Sequence, residues 1–384
     1  MPHAMLSQVL FVSLLAVQQP PAAAEIDWAV QDGIAGGVYP GAVVVVGTTR
    51  RVLHARGYGH FTWDTASPVP SPDSSLYDLA SLTKVVASAP AAMVLVDDGR
   101  LDLDRPVQHY LPAFRGPEKQ RVTVRHLLEH RSGLRAFLPL NELAADAAEA
   151  RALVLSEPLR FAPGTRMEYS DLNAMVLGWV IEAIAGLPLD EFVRQRIYEP
   201  AGMSDTRYRP PRSVRARIVP VGLWRGHAIA GEVHDQNAAR LGDVSGHAGL
   251  YSTAADLARY AQIILDEGRL ADGTDVFSSG VVRHFTRRGA AHRALGWEMR
   301  DPDDDDASAG RLLSADAFGH GGYTGTSIWI DPQRDLYVIV LTNRVFAPRT
   351  GRSITKLKAV RARIADAAVA LRDDMCGDGS GTPC

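Results

Sequence analysis

The apolar positions of this chain change period along its length. Ala42 to Val46 is an unbroken, β-branched run that predicts a buried strand. Val52 to Gly57 reads as its partner across Thr48-Thr49-Arg50. The Pro- and Ser-rich stretch Ser67–Ser75 is a connector. From Leu79 to about Leu265 the periodicity is mostly helical, interrupted at Pro and Gly. Strand character returns at Ser327–Ile330 and Leu336–Leu341, which the turn Asp331–Asp335 joins as an antiparallel hairpin. A last helix places Ile354, Leu357, Val360, Ile364 and Leu371 on one face.

Strands at both ends with helices between predict an α/β (α+β) fold. One antiparallel sheet, built from distant halves and flanked by helices, carries an inserted, mostly helical region. The expected organisation is a leader over 1–24, a main unit over 25–372 and a flexible tail over 373–384. Within the main unit the sheet region is 25–78 plus 245–372, and the helical region is 79–244. A functional site belongs between sheet and helices.

The leader expectation rests on the apolar run Leu10–Val17 and on Ala22-Ala23-Ala24 before Glu25, a secretory signal cleaved after Ala24. It implies export to a periplasmic or extracellular space. No Cys follows the run to carry a lipid anchor. Cys376 and Cys384, in the Gly/Ser/Pro-rich tail, either close a short disulfide loop or remain as two thiols. A composition of 46% apolar and 22% charged residues excludes a disordered tail protein, a collagen-like rod or a small disulfide scaffold. The net charge of −3 leaves no basic excess for phosphates, so nucleic acid is not an expected partner. With no run of about 18 apolar residues, no transmembrane span is expected.

Three segments carry candidate chemistry. In Ser81-Leu82-Thr83-Lys84, positions i and i+3 of a helix put the Lys84 ammonium beside the Ser81 hydroxyl, with Asp78 as a cap upstream. A serine needs such help because its hydroxyl is barely acidic. At the helix start, the Ser81 N–H is also free to face an oxyanion. A second copy, Ser353–Lys356, lies on the terminal amphipathic helix and reads as surface. The chain has only four lysines among its 41 basic residues, so Lys84 stands out.

Tyr169-Ser170-Asp171 sits at a loop-to-helix junction, where a tyrosine can enter a cleft and ionise more readily beside a lysine. Asp171 reads equally well as the N-cap of that helix. The Gly-rich stretch Phe318–Gly325, containing His320, Gly322 and Tyr323, leads into a strand and lets backbone approach a ligand closely.

Competing signals are weaker. His126-Leu127-Leu128-Glu129-His130 matches an inverted zinc-peptidase pattern, but arginines flank it and no third ligand follows, so helix-end histidines are the better reading. Asp301–Asp306 reads as a solvated acidic loop. No Gly-x-Ser-x-Gly elbow occurs, which disfavours an α/β-hydrolase. No metal and no organic cofactor is expected.

Taken together, these segments resemble the serine β-lactamase and penicillin-binding-protein superfamily, in its class C-like branch, from about Gly41 to Asn343. Ser81–Lys84 matches the nucleophile motif, Tyr169-Ser170-Asp171 the Tyr-x-Asn motif and His320-Gly321-Gly322 the Lys-Thr-Gly motif. Val124–Leu134, Gly231–Ala238 and Gly246–Leu250 resemble further segments of its β-lactamase-related members. The resemblance implies a β-lactamase/transpeptidase-like fold. It also implies an acyl-enzyme on Ser81, Tyr169 as base beside Lys84, and an oxyanion hole from the Ser81 and Tyr323 N–H groups. The partner implied is a small acyl substrate: an ester, a D-amino-acid peptide or a β-lactam.

Two departures shape the substrate expectation. Ionised Asp171 only accepts hydrogen bonds, so it would pair with Lys84 rather than with a substrate amide. His320 is largely neutral near physiological pH, where the family's lysine attracts a carboxylate. Both point to esterase or D-Ala-type peptidase activity with weak β-lactamase activity. A true class C-like β-lactamase and a penicillin-binding sensor without turnover are the alternatives. The sequence leaves the roles of His234, Asp235, Asn237 and His247 open between structure and substrate, with a lean to structure.

Overall fold

The first and last strands of the chain meet in one sheet because both are apolar enough to be buried on two faces. A computed structural model describes residues 22–224, 227–304, 308–346, 353–377 and 384. The apolar run of the expected leader, and Asp305 and Asp306 of the acidic run, lie outside the described residues. The strands β1 (Gly41–Gly47) and β2 (Val52–Gly59) form the expected opening hairpin. Short strands follow between the two halves of the main sheet: β3 (Tyr77–Asp78), β4 (Arg207–Tyr208), β5 (Gly222–Trp224), β6 (His227–Ile229) and β7 (Leu250–Ser252). The closing set is β8 (Glu298–Met299), β9 (Phe318–Gly321), β10 (Ser327–Asp331) and β11 (Leu336–Thr342).

The main sheet runs β2-β1-β11-β10-β9-β8, with every neighbouring pair antiparallel. β1 joins β11 in the register Val44↔Val340, so residues from the two ends of the chain sit side by side at the centre. Alternation explains the unbroken apolar runs. Val43 and Val45 of β1, with Tyr337, Ile339 and Leu341 of β11, enter the larger core on one face. Ala42, Val44 and Val46, with Leu336, Val338 and Val340, enter a second core on the other. A one-residue slip would exchange these two sets, so the two cores together hold the register.

The second core is closed by the helices Ala22–Ala35 and Ile354–Cys376, which pack on each other. On the terminal helix Leu357, Val360, Ile364 and Leu371 are buried as expected, whereas Ile354, in the first turn, is 48% exposed. That helix continues through Cys376, and Cys376 is disulfide-bonded to Cys384. The larger core lies under the insert. Helix Ala254–Leu265 packs on β1, β10 and β11, and helix Ala89–Asp97 packs against Asp171–Ala185.

The insert is less helical than its periodicity predicts. β3, β7 and β4 form a small sheet, and β5 and β6 a hairpin. Strands of two or three residues are too short to register as a period. The segment Ala80–Asp97 has the length and mean hydropathy of a membrane span, but 83% of it is buried inside the fold. It is the core segment that carries the candidate nucleophile.

Candidate active site

Ser81 lies in a tight 3-10 turn, Ala80–Leu82, that passes through a short π-helical stretch, Lys84–Ser88, into helix Ala89–Asp97. A single regular helix, as the sequence suggested, is therefore replaced by three successive windings. Ala80 enters the turn with φ +46°, a left-handed conformation that costs a non-glycine residue about 1 kcal/mol or more. Neighbouring groups hold it there. The Asp78 carboxylate accepts the Ala80 N–H (2.9 Å) and the His234 N–H (2.8 Å). Thr324 and Thr326 donate to the backbone carbonyls of Asp78 (2.7 Å) and Leu79 (3.0 Å). Burial pushes the Asp78 carboxyl up to about 6, against the pull of those two N–H donors.

The i, i+3 spacing brings Lys84 to Ser81 as expected. Lys84 Nζ donates to Ser81 Oγ (3.0 Å), to Asp171 Oδ1 (2.7 Å) and to the His247 carbonyl (3.3 Å). All three ammonium protons are thereby used. The side chain is 3% exposed. Burial alone would lower its proton affinity, but the Asp171 carboxylate and then Tyr169 outweigh it and hold Lys84 above the usual lysine range. Lys84 is therefore a cation in the resting site.

Asp171 is free to make this pair because it is not the cap. Ser170 is the N-cap of helix Asp171–Ala185, its Oγ accepting the Asn173 N–H at 3.4 Å and donating to the Arg135 carbonyl at 2.6 Å. Asp171 occupies the first helical position, where a carboxylate complements the positive end of the helix. Gly246 allows the loop carrying His247 to press against this helix, since a Cβ there would collide with the Ala174 carbonyl.

Tyr169 is 36% exposed, and its ring centroid is 5.0 Å from Lys84 Nζ. Its ring also faces the imidazoles of His130 (4.6 Å) and His320 (5.8 Å). The two histidines of the 126–130 motif serve separate purposes. His126 completes a capping box with Thr123, while buried His130 accepts the Ser170 N–H at Nδ1 (3.1 Å). His320 is buried too, and its Nδ1–H donates to the Gly321 carbonyl (2.8 Å), which leaves Nε2 without a partner. Burial, then Arg293 and Lys84, push His320 far below the ordinary imidazole value, so it is neutral.

Gly322 is fixed by close packing. Its N–H is committed to the Thr326 carbonyl (2.7 Å), and a Cβ would collide with Leu79 O and Thr326 Oγ1. It lets the β9–β10 turn lie against the Ser81 turn. Tyr323, next along, is 62% exposed and lies against the His234 ring in a tilted arrangement (5.5 Å).

Ser81, Tyr169, Asp171 and Tyr323 line one cleft of about 540 Å³, together with Phe137, Asn141 and His234–Asn237. Of the four residues the sequence left open, His234 and Asp235 border this cleft beside Asn237. The Asn237 side chain stitches Leu138 and Leu140 by hydrogen bonds. His247 is buried, and its Nε2–H donates to Asp235 (3.0 Å). Asp235 also caps helix Gln236–Arg240; although burial opposes its charge, His247 and the Ala238 N–H hold it well below the usual carboxylate range. Sequence reasoning missed Phe137, Asn141 and Gln236 as cleft walls and Arg293 behind Tyr169, whose guanidinium carbon is 5.8 Å from the ring centroid.

Comparison with known proteins gives a consistent neighbourhood. The family model described as "Beta-lactamase" matches residues 26–362. An N-acetylmuramyl-L-alanine amidase of Bacillus subtilis (strain 168) is 31% identical, over 84% of this chain and 81% of that protein. A putative D-alanyl-D-alanine carboxypeptidase of Salmonella typhi is 30% identical, over 84% and 83% respectively. Among solved structures, EstCE1, a hydrolase with promiscuous acyltransferase activity, superposes with a TM-score of 0.73 at 21% identity, covering 91% of this chain and 98% of that one. A penicillin-binding protein homologue from Caulobacter crescentus gives 0.73 at 23% identity, with 92% and 98% covered.

Proposed function

Because this chain belongs to the beta-lactamase family and is a serine hydrolase of it, we propose that it is an exported acyl hydrolase working through an acyl-enzyme on Ser81. Its preferred substrates are peptide-type amides, D-alanyl peptides first, with activated esters accepted and penicillins turned over poorly. The observation that carries this reading is the Ser81–Lys84–Asp171 contact at 3.0 and 2.7 Å, inside a cleft that Tyr169 also lines.

In the proposed reaction Ser81 Oγ attacks the substrate carbonyl while its proton passes to the Tyr169 phenolate. The Lys84 ammonium, donating to Oγ, stabilises the alkoxide character that develops there. The N–H groups of Ser81 and Tyr323 receive the oxyanion. When the C–N bond breaks, Tyr169 returns the proton to the leaving amine. In the second half Tyr169 takes a proton from water, the hydroxide attacks the ester carbonyl, and the acid is released as Ser81 recovers its proton.

Amides are favoured because the curated relatives at 30–31% identity carry amidase and carboxypeptidase names. Penicillins are disfavoured because the Asp171 carboxylate is committed to Lys84 and His320 brings no charge for a drug carboxylate; a D-alanyl-D-alanine peptide, which also ends in a carboxylate, must be held by contacts other than His320. Kinetics on a D-alanyl-D-alanine peptide, a muramyl-L-alanine amide, a nitrophenyl ester and a penicillin test the reading. The peptide should show the highest kcat/KM; a penicillin leading the series would overturn it.

The variant carrying Asp171→Asn and His320→Lys should raise penicillin turnover about tenfold or more, since it restores an amide donor and a cation. Gly322→Ala should cost about 1–3 kcal/mol by overpacking the β9–β10 turn against Leu79. Acylation should fall with it, as read by thermal melt and stopped-flow acylation. Export is supported by the small-residue segment Ala22–Ala24 and by the Cys376–Cys384 bond, which suits an oxidising compartment. A mature mass beginning at Glu25 is the expected result, and a retained leader in the released protein would contradict it.

A further inference from the structure

The charges around Tyr169 are more numerous than the motif pattern suggests. Lys84 is the nearest cation and favours the phenolate, but the Asp171 carboxylate 2.7 Å from its ammonium offsets part of that charge as seen from the phenol. His130 and His320 face the ring from two other elements, and both are neutral. Burial comes first in each case, then the cations Arg293 and Lys84. On the segment of Tyr169 itself, Glu168 is committed to Arg160 and Arg166. Across the cleft, Asp235 accepts a hydrogen bond from His247 and is a further carboxylate, not a cation.

The remaining charge is Arg293. Its guanidinium carbon is 5.8 Å from the Tyr169 ring centroid. The side chain is 7% exposed, and its Nε and Nη2 are buried without a hydrogen-bond partner. Burial lowers its proton affinity while Glu298 and Tyr169 raise it, and a guanidinium keeps its proton throughout. Glu298, opposite it on a β-bridge, is exposed, so water screens its charge. A buried guanidinium whose one neighbouring acid is exposed to water is costly, and a phenolate forming beside it during the reaction would offset part of that cost.

We propose that Arg293 is a positioning residue, supplying positive charge against which the Tyr169 phenol ionises, in addition to the Lys84 charge that Asp171 partly offsets and in place of any from neutral His320. This rests on the reading of Tyr169 as the acceptor of the Ser81 proton. Arg293 acts through Tyr169 and makes no bond to substrate.

The test follows the near-ultraviolet phenolate band of Tyr169 with pH, taken as each protein minus its Tyr169→Phe counterpart. The buried tyrosines Tyr77, Tyr251 and Tyr260, pushed far up by burial, cancel in that difference. Arg293→Met, which removes the charge and keeps the bulk, should move the midpoint upward by about one unit or more. Acylation at neutral pH should fall about tenfold with it. Arg293→Lys should retain activity within about threefold, since it restores a cation at the same place. An unmoved midpoint in a folded Arg293→Met protein overturns the proposal. So does a raised KM for acidic peptides with an unmoved midpoint, which would make Arg293 a carboxylate receptor.

If Arg293→Met does not fold, the wild-type protein still decides: a Tyr169 midpoint at or above the ordinary phenol value of about 10 overturns the proposal. Full acylation by Tyr169→Phe would instead sink the base assignment, a separate result from the titration.

Discussion

Lys84→Met is expected to lose activity on the order of 10³-fold and to destabilise the fold as well. The activity loss follows from removing the only side-chain donor to Ser81 Oγ among the described residues. The stability loss follows from leaving the Asp171 carboxylate without its partner. Breaking a fully buried pair costs about 3–5 kcal/mol. Asp171 is 21% exposed, so about 1–3 kcal/mol is the appropriate figure here. The double variant Lys84→Met with Asp171→Asn should recover most of the stability and none of the activity. Thermal melts and single-turnover acylation of both proteins check the two halves separately. The pH dependence has a definite sign. The folded chain holds the Lys84 proton more tightly than the unfolded chain does. The stabilisation is therefore complete below the unfolded lysine value and is lost only as pH rises through the folded one.

Ser81→Ala carries the largest expected effect, a loss on the order of 10⁶ in kcat, comparable with removal of a serine nucleophile elsewhere. It should leave the fold in place. The hydroxyl accepts one bond from an ammonium that keeps Asp171 and the His247 carbonyl as partners. A melt within about 1 kcal/mol of wild type, with no acyl adduct, is the combined signature. Loss of fold together with activity would leave Ser81 a structural residue and contradict its assignment as nucleophile.

Much of this architecture was legible because the signals were local or periodic. The β1–β2 and β10–β11 hairpins announce themselves through apolar runs separated by short turns. The joining of β1 to β11 follows once both strands must be buried on two faces. Ser81 and Lys84 share a turn, so their approach is written in their spacing. Asp171, far along the chain from Lys84, has no such signal, and only the family pattern suggested the pairing. Whether Ser170 or Asp171 would cap the helix was undecidable locally, since both are good caps. The pull of Lys84 on Asp171 accompanies the choice of Ser170. Arg293 was invisible: one arginine among many, in a loop with no periodicity, brought to Tyr169 by the way β8 and β9 pair. The short strands β3 to β7 were missed because two or three residues cannot display a period.

The central claim is the acyl-enzyme on Ser81, and intact-protein mass after rapid mixing with an acyl donor tests it most directly. A D-alanyl-D-alanine peptide and a penicillin serve as donors, with Ser81→Ala in parallel and the adduct mapped by peptide digestion. The account predicts a transient adduct of the acyl mass on the peptide spanning Ser81, absent from Ser81→Ala, and shorter-lived for the peptide than for the drug. Turnover of either donor by Ser81→Ala at the wild-type rate, or an adduct on any other residue, would contradict it.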